Sequence, residues 1–552
     1  MTTYLGMSAA HDSSVCFYKD GKIQFFMKEE RVTRKKRDSD PVISLYNFDT
    51  NDDIVFCYSF PNLNYPSYTK NNHLVSKKYN VINSYDLSDS HHLVHANLAF
   101  YDSNFDTSLV FVVDRNGSTP NINGVFYDSC RESESVYIAS YPNSFIPIYK
   151  NYWAYQNSSY EFIKEASLNN PNCEFNASSM YSITKVYETA TALIKEGILE
   201  NGKTMGLSAY GDKKLTSCPM FTKESIAFDY LFGHEQILED QFAINLQLQK
   251  FAKKVGENDY HLYANYAWQV QKQTQEALAN LVNKYVQKTG IKNVCITGGY
   301  GLNVVANHYL ITQFPEINFF FEPLADDSGN SIGAAMKVYR DITLDNKKYP
   351  LGNTFFNGFK YDLNKIKGKS VNAKDVAKLL LNGKSVAVYQ GVSESGPRAL
   401  GNRSILFDAR DKNAKNKVNK IKKREWYRPF AGMVLESDAN IYFDMGKIKN
   451  SPYMTVSFPV KANVFNIIPG VIHVDNTCRI QTINESNTNI YDLIKEFKEL
   501  SGVSVILNTS FNIAGEPLVE TPDDAIKTLK NSELDYIWFP EISKIMSKKD
   551  LT

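Results

Sequence analysis

The chain has 552 residues, and its 61 Lys and Arg nearly balance its 60 Asp and Glu, which leaves a net charge of +1. This length predicts two or more domains, and the charge balance gives no sign of a nucleic-acid or membrane-surface binder. Hydrophobic residues make up 43% of the chain and charged residues 22%, which argues against wholesale disorder. We therefore expect small-molecule chemistry in a folded protein.

The cysteines and the start of the chain bear on its compartment. Seven cysteines are scattered singly, without CxxC pairs, which predicts reduced thiols and a cytoplasmic location. The first residues lack the basic and apolar regions of a signal peptide, and no run of about 18 apolar residues follows. We expect neither secretion nor a membrane-spanning segment.

Two strand pairs are predicted in the first part of the chain. Residues 3–23 are predicted to form two strands around the polar turn His11-Asp12-Ser13-Ser14. A strand at 109–113 runs into an acidic turn at 114–117, and a return strand is predicted at 124–127. This repetition of strand, acidic turn and strand predicts a duplicated domain.

The middle of the chain alternates helices and strands. A long helix is predicted over about 258–288, and a Lys-, Asn-, Gly- and Pro-rich stretch at 340–370 predicts a linker with a domain boundary near 345. A second α/β domain is expected beyond it. The other predicted elements are a strand at 294–296, a glycine loop at 298–301, a helix at 303–310, a strand at 319–321, a loop at 323–329, a helix around 332–336 and strands at 386–389 and 503–507.

A metal site is one interpretation of two histidines. His91 and His95 follow the cap cluster Ser88-Asp89-Ser90 and lie one turn apart on a predicted helix, so both imidazoles can chelate one ion. Two surface histidines are the alternative. Asp327, in a loop that opens a helix, can supply an oxygen ligand, and a His/His/Asp set suits iron, manganese or zinc. Alone, Asp327 would only cap its helix.

Other motifs indicate phosphate binding. The loop that begins at Gly298 and Gly299 lets the backbone approach a phosphate, although such turns are also common for structural reasons. A glycine-flanked loop with two arginines precedes further cations, and arginine offers phosphate bidentate hydrogen bonds. The alternative for these cations is a solvated basic face. For the two polar residues of a later loop, the alternative is that they only stabilise the turn. The cations are Arg398, Arg403, Lys422, Arg424 and Arg428, and the polar residues are Asn508 and Ser510.

Taken together, these motifs resemble the O-carbamoyltransferase family that tailors nodulation factors and antibiotics. Their number and order make a chance similarity improbable. The matching segments are His11-Asp12-Ser13, Glu29-Glu30-Arg31 and residues 91–96, 202–207, 298–303, 396–406, 424–431, 473–481 and 508–517.

The resemblance implies an α/β fold with two domains. Residues 1–345 would form a duplicated actin/sugar-kinase-like domain, similar to the tRNA threonylcarbamoyl-transfer subunit, and 346–552 an α/β domain resembling threonylcarbamoyl-AMP synthase. The second domain would join carbamoyl phosphate to ATP, giving carbamoyl-AMP and pyrophosphate. The first would move the carbamoyl group to an acceptor hydroxyl beside a metal ion.

The resemblance also implies roles for individual residues. His91, His95 and Asp327 match metal ligands, with Fe²⁺ expected, Mn²⁺ or Zn²⁺ as alternatives, and Mg²⁺ accompanying ATP. His11 and Asp12 match residues near the transferred group, and His11 is a candidate general base. The expected catalytic residues are His11, Asp12, Lys422 and Arg398. The residues expected to bind carbamoyl phosphate and ATP are Arg398, Arg403, Lys422, Arg424, Arg428, Asn508, Ser510, Gly298, Gly299 and Asn303.

The chain departs from the family pattern in three places. Arg115-Asn116-Gly117-Ser118 follows Asp114 where the family usually has glycine, and Ser395 stands where an aromatic residue is usual. Residues 130–178 match no family pattern, and we expect them to shape the acceptor pocket. The acceptor can be a sugar, a natural product or a hydroxylated nucleotide, without direct binding of nucleic acid or membrane, and a homodimer is a further expectation.

Two other functions remain open at this point. A kinase-like, metal-dependent ATPase would use only the actin/sugar-kinase fold and release ADP. A nucleotide-binding scaffold would bind without turnover.

Overall fold

The computed structural model describes most of the chain. The described residues are 1–9, 11–60, 67–122, 125–126, 130–154, 159–177, 182–194, 200–212, 221, 260–349 and 354–551. Their mixed α/β architecture confirms the predicted fold class.

Helices and strands alternate through most of these ranges. The helices are α1 (Glu29–Thr33), α2 (Val42–Tyr46), α3 (Ser67–Lys78), α4 (His91–Asp102), α5 (Ser159–Asn169), α6 (Ile183–Leu193), α7 (Asn201–Ser208), α8 (Tyr260–Thr289), α9 (Val304–Gln313), α10 (Asn330–Thr343), α11 (Ala373–Leu381), α12 (Ala414–Lys422), α13 (Ala439–Tyr442), α14 (Thr488–Ser501) and α15 (Pro522–Asn531). The strands are β1 (Thr2–Ser8), β2 (Ser14–Lys19), β3 (Lys22–Lys28), β4 (Asp53–Ser59), β5 (Val81–Asp86), β6 (Thr107–Val113), β7 (Asn121–Ile122), β8 (Val125–Phe126), β9 (Cys130–Ser140), β10 (Ser144–Ala154), β11 (Glu174–Ala177), β12 (Asn293–Thr297), β13 (Asn318–Phe321), β14 (Lys369–Ser370), β15 (Val386–Tyr389), β16 (Arg403–Asp408), β17 (Ala431–Leu435), β18 (Ser457–Pro459), β19 (Thr477–Ile483), β20 (Val505–Ser510), β21 (Tyr536–Phe539) and β22 (Lys544–Ser547).

The chain divides into two compact units. Unit 1 consists of Met1–Gln24 and Leu45–Gly352, and unit 2 of Phe25–Ser44 and Asn353–Thr552. By this division residues 25–44, which fall inside the predicted domain of residues 1–345, group with the second unit. Hydrogen bonds explain this assignment, because Arg31 Nη2 donates to the Gly396 carbonyl at 2.9 Å and the Phe26 amide to the Asn357 carbonyl at 3.0 Å.

Unit 1 contains two principal sheets. Their strand orders are β3-β2-β1-β4-β5 and β11-β10-β9-β6-β12-β13. The predicted first hairpin is confirmed, since β1 and β2 pair antiparallel with Ser8 opposite Ser14. Helix α10 packs closely on β1, and a Cβ at Gly6 would lie only 1.7 Å from the Ser331 carbonyl oxygen. This close approach requires glycine at position 6.

The second predicted hairpin is wrong in its return strand. Strand β6 pairs with β9 over seven residue pairs, whereas residues 125–126 form a two-residue strand opposite 121–122. The longer pairing supplies more ladder hydrogen bonds, which favours β9 as the neighbour of β6. Residues 130–178, predicted to shape a pocket, thus contribute strands β9, β10 and β11 to the second sheet.

The topology of the second sheet positions a site. Strands β6, β12 and β13 are parallel to one another, so their carboxyl ends lie at one edge. Asp114 follows β6, the Gly298–Gly299 turn follows β12, and the loop that carries Asp327 follows β13. The fold therefore gathers three loops that are far apart in the sequence.

Unit 2 is built on one nine-stranded sheet. Its strand order is β14-β22-β21-β15-β16-β20-β17-β19-β18. Strands β15 and β20 confirm the two strands predicted for this part of the chain. The buried cluster beneath the sheet includes Leu363, Ile405 and Phe539. In neither unit does a helix of the described ranges have the length and apolar character needed to cross a bilayer.

Candidate functional site

Helix α4 presents the two predicted histidines, but its N-terminus is not capped as predicted. The Ser90 side chain makes no capping bond. Instead the Ser118 hydroxyl accepts from the His91 amide at 3.0 Å and donates to the Ser88 carbonyl at 2.9 Å. The loop after β6 therefore fixes the first turn of the histidine helix through a contact that local sequence could not reveal.

Four buried side chains converge at this helix terminus. His91, His95, Asp114 and Asp327 each offer one ligand atom, and these atoms lie within 4.8 Å of one another. His91 Nε2 is 3.3 Å from Asp327 Oδ1 and 3.4 Å from Asp114 Oδ2, and His95 Nε2 is 3.3 Å from Asp327 Oδ1. The structure thus brings the three predicted ligands together and adds Asp114.

Electrostatics show how strongly this group attracts positive charge. Burial opposes protonation of His91, but Asp327 and Asp114 outweigh it and raise the pKa of His91 to about 10. The histidines in turn hold the pKa of Asp327 well below its usual range against the effect of burial. His91 Nε2 and Nδ1 and His95 Nδ1 are buried without a hydrogen-bond partner among the described residues. Orphaned imidazole nitrogens facing carboxylates fit a divalent cation.

His11 and Asp12 border the same group. His11 Nδ1 lies 3.6 Å from Asp327 Oδ2, and His11 Nε2 lies 3.3 Å from Asp12 Oδ2. The His11 side chain is 40% exposed, whereas that of Asp327 is 9% exposed. His11 is therefore the accessible member of the group and the one that a substrate can reach.

The glycine loop shapes the site through its backbone. The Gly299 amide donates to Asp114 Oδ1 at 3.0 Å. Gly298 has a φ of 81°, and a Cβ there would lie 2.5 Å from the Val113 carbonyl oxygen. Asn303 caps α9 by accepting from the Ala306 amide at 3.1 Å. In this structure the loop orients Asp114, while the predicted phosphate role of Gly298, Gly299 and Asn303 stays a prediction.

In unit 2, Lys422 is the last residue of α12, and oxygen atoms surround its ammonium group. Its Nζ donates to the Ser510 carbonyl at 2.5 Å, to Ser510 Oγ at 2.9 Å and to Asn512 Oδ1 at 2.5 Å. Burial, reinforced by Arg424 and Arg428, lowers the pKa of Lys422 well below its usual range. Lys422 and Ser510, each predicted as a site residue, are thus in direct contact.

Several arginines share this environment. Burial lowers the pKa of Arg479 well below its usual range, and Arg398, Arg424 and Arg428 add to that effect. Arg424 Nε donates to Asn419 Oδ1 at 2.8 Å, a neutral partner. Buried cations that repel one another form a ready anion site. The sequence interpretation missed two cations of this environment. One is Arg479, and the other is Lys36, whose charge also lowers the pKa of Lys422.

Arg403 lies in a different setting from the other predicted cations. Its guanidinium carbon is 3.7 Å from the centre of the Tyr389 ring, and its Nη1 donates to the Gln390 carbonyl at 2.5 Å. Burial raises the pKa of Glu394 and Glu520, and the charge of Arg403 opposes that rise. Arg403 therefore compensates buried carboxylates, and a phosphate contact for it stays a prediction.

Asn508 and Ser395 are both engaged in buried contacts. Asn508 Nδ2 donates to the Ala399 carbonyl at 2.9 Å, while its Oδ1 has no partner among the described residues. In the sheet register, Arg479 and Asn508 lie on either side of Ala431. Ser395 Oγ donates to the Phe26 carbonyl at 3.1 Å.

Comparison with known proteins identifies the family. Residues 62–336 match the model of the carbamoyltransferase N-terminus and residues 377–545 that of the carbamoyltransferase C-terminus. Together these matches span well over half of the chain. The chain belongs to the carbamoyltransferase family, a family of transferase enzymes, and the resemblance drawn from the motifs is confirmed.

Individual relatives show how far this similarity extends. The uncharacterized protein MJ1051 of Methanocaldococcus jannaschii is 29% identical over 96% of this chain and 97% of its own length. The nodulation protein NolNO of Sinorhizobium fredii is 27% identical over 81% of this chain, which spans 62% of that protein. Among solved structures, the similarity to T. kodakarensis HypF covers 63% of this chain and 49% of HypF, with 13% identity and a TM-score of 0.35. The similarity to P. abyssi Sua5 complexed with L-threonine covers 30% of this chain and 45% of Sua5, with 17% identity and a TM-score of 0.22.

Proposed function

We propose that this protein is an ATP-dependent O-carbamoyltransferase that works in two steps. In the first, water cleaves carbamoyl phosphate to carbamate and inorganic phosphate, and a carbamate oxygen then attacks the α-phosphorus of ATP, which gives carbamoyl-AMP and releases pyrophosphate. In the second, the carbamoyl group passes to a hydroxyl of a small acceptor, and AMP leaves. The observation that carries the proposal is the cation cluster around Lys422, together with membership of the carbamoyltransferase family.

The first step is assigned to unit 2. Carbamoyl phosphate, ATP and departing pyrophosphate are all multiply charged anions, and cations placed in advance stabilise the charge that develops between them. Lys422 supplies a point charge, and Arg398, Arg424, Arg428 and Arg479 supply guanidinium groups that can bind phosphate oxygens in pairs. Burial strengthens each of these interactions because the local dielectric constant is low.

The second step is assigned to unit 1. His91, His95, Asp114 and Asp327 would hold a divalent ion, with Fe²⁺ favoured over Mn²⁺ or Zn²⁺. When bound, such an ion supplies Lewis-acid polarisation of a carbonyl oxygen. His11 accepts the proton of the acceptor hydroxyl as its oxygen attacks the carbamoyl carbon and the bond to AMP breaks, and Asp12 and Asp327 orient its ring.

One incubation without acceptor tests this proposal. The protein is mixed with ATP, carbamoyl phosphate, Mg²⁺ and Fe²⁺, and the nucleotides are separated by mass spectrometry. Formation of carbamoyl-AMP with one equivalent each of pyrophosphate and inorganic phosphate supports it. Release of ADP would favour the kinase-like ATPase, and no product beyond that of a heat-inactivated control would favour the nucleotide-binding scaffold.

A further inference from the structure

A second charged cluster borders the histidine and aspartate group of unit 1. Arg115 Nε lies 2.9 Å from Glu188 Oε2, and Arg115 Nη2 lies 2.7 Å from Glu188 Oε1, a bidentate pair. Lys185 Nζ is 3.6 Å from the same Glu188 Oε2. Two cations thus share Glu188 as their close carboxylate, and Asp114 acts on Lys185 at longer range.

Lys185 is weakly satisfied for a buried ammonium. Its side chain is 12% exposed, and its contact with Glu188 is long for a hydrogen bond. The centre of the Trp153 ring lies 4.5 Å from Lys185 Nζ. Burial lowers the pKa of Lys185 to about 8, and the charge of Arg115 contributes to that lowering while Glu188 and Asp114 oppose it. Among the described residues no oxygen lies within ordinary hydrogen-bond distance of Lys185 Nζ, and an anion beside it would satisfy these donors.

The cluster is tied directly to the proposed transfer site. Arg115 follows Asp114 in the chain, and Thr184 Oγ1, next to Lys185, donates to the Asp114 carbonyl at 2.6 Å. Trp153 lies beside the same loop, because its Nε1 donates to Asn116 Oδ1 at 3.2 Å. The Arg115 side chain is 34% exposed, so a ligand can reach its guanidinium group.

We propose that Arg115 and Lys185 bind a phosphate monoester carried by the acceptor. The acceptor is then a phosphorylated alcohol, and its phosphate lies at this cluster while its hydroxyl faces His11. Arginine binds phosphate in a planar, bidentate manner and lysine adds a point charge, so the pair distinguishes a phosphorylated alcohol from its neutral form. This inference rests on the proposed function, because it assigns the acceptor class of the same site.

Matched ligands test the inference by calorimetry. Glycerol 3-phosphate is compared with glycerol, and uridine 5′-monophosphate with uridine, on the full chain. We expect at least one phosphorylated probe to bind about tenfold or more tightly than its neutral partner. Lys185→Gln should weaken that binding by about tenfold, Lys185→Arg should restore most of it, and exposed Lys164→Gln should leave it unchanged.

Two further variants assign the binding to its site. Lys422→Gln should leave the phosphorylated probe bound, which separates this cluster from the cations of unit 2. Arg115→Gly, which introduces the usual family residue, gives an independent loss if Lys185→Gln fails to fold in a thermal melt. The inference is overturned if neither phosphorylated probe binds more tightly than its partner, or if Lys422→Gln abolishes binding and Lys185→Gln does not. Acceptor-free formation of carbamoyl-AMP separately decides the proposed function.

Discussion

Replacing Lys422 by Met is the sharpest test of the chemistry assigned to unit 2. Methionine keeps the apolar stem but removes an ammonium that contacts Ser510 and Asn512. Removing one preorganised group that stabilises transition-state charge costs about 3–4 kcal/mol, or roughly 10²–10³-fold in rate. We expect carbamoyl-AMP formation to fall by that factor.

Stability should change much less than activity. The variant loses hydrogen bonds from Lys422 to neutral oxygens, each worth about 1–2 kcal/mol. It also removes a buried charge that Arg424 and Arg428 repel, which offsets much of the loss. Ser510 Oγ keeps its 2.7 Å bond to Asn512 Oδ1. The free energy of unfolding should therefore change by no more than about 2 kcal/mol.

The assay is continuous pyrophosphate release with carbamoyl phosphate and ATP in the absence of acceptor. Lys420→Met is the matched control, because Lys420 lies on the same helix with a 71% exposed side chain paired to Glu533. It should retain the wild-type rate. The reasoning is refuted if Lys422→Met forms carbamoyl-AMP within about fivefold of the wild type while folding normally.

Three other changes probe unit 1. His91→Ala should reduce bound metal, measured by inductively coupled plasma mass spectrometry, and abolish transfer while sparing carbamoyl-AMP formation; equal loss of both steps would contradict the division of labour. Ser118→Ala removes the cap of α4, so the midpoint of thermal unfolding should fall by an amount that corresponds to about 1 kcal/mol, and an unchanged midpoint would count against the cap. Burial raises the pKa of Glu134 from 4.5 to about 7. Between those values the folded state holds a proton that the unfolded state has lost, so stability should fall by about 3 kcal/mol as pH rises from 4.5 to 7, and Glu134→Gln should flatten that dependence in denaturant titrations.

Local spacing was enough to predict part of the candidate metal group. The i, i+4 spacing of His91 and His95 fixes their shared helix face, whatever the rest of the chain does. Asp114 was not predicted as a member, because its position depends on the parallel pairing of β6 with β12. Its place at the carboxyl end of an apolar strand was the available signal.

Contacts between distant segments account for the other differences. The assignment of residues 25–44 to unit 2 rests on bonds such as that from Arg31 to Gly396, which no local pattern encodes. The motif around Arg403 predicts a phosphate ligand. In the structure its guanidinium group lies over the Tyr389 ring, near buried carboxylates. Residue type predicted the chemistry that each segment can offer, while tertiary pairing decided which residues meet.

The two clusters have opposite electrostatic character, and this difference supports the division of the reaction. In unit 1, Asp114 and Asp327 outweigh burial and draw positive charge onto His91, so the group favours a cation. In unit 2, Lys422 and its arginine neighbours depress one another's pKa, so the group favours an anion. Joining carbamoyl phosphate to ATP brings two polyanions together, whereas attack by a hydroxyl needs a polarised carbonyl and a proton acceptor. Each requirement is met by a different unit, since the buried cations of unit 2 suit the polyanions, and the metal-attracting group with His11 in unit 1 suits attack by the hydroxyl.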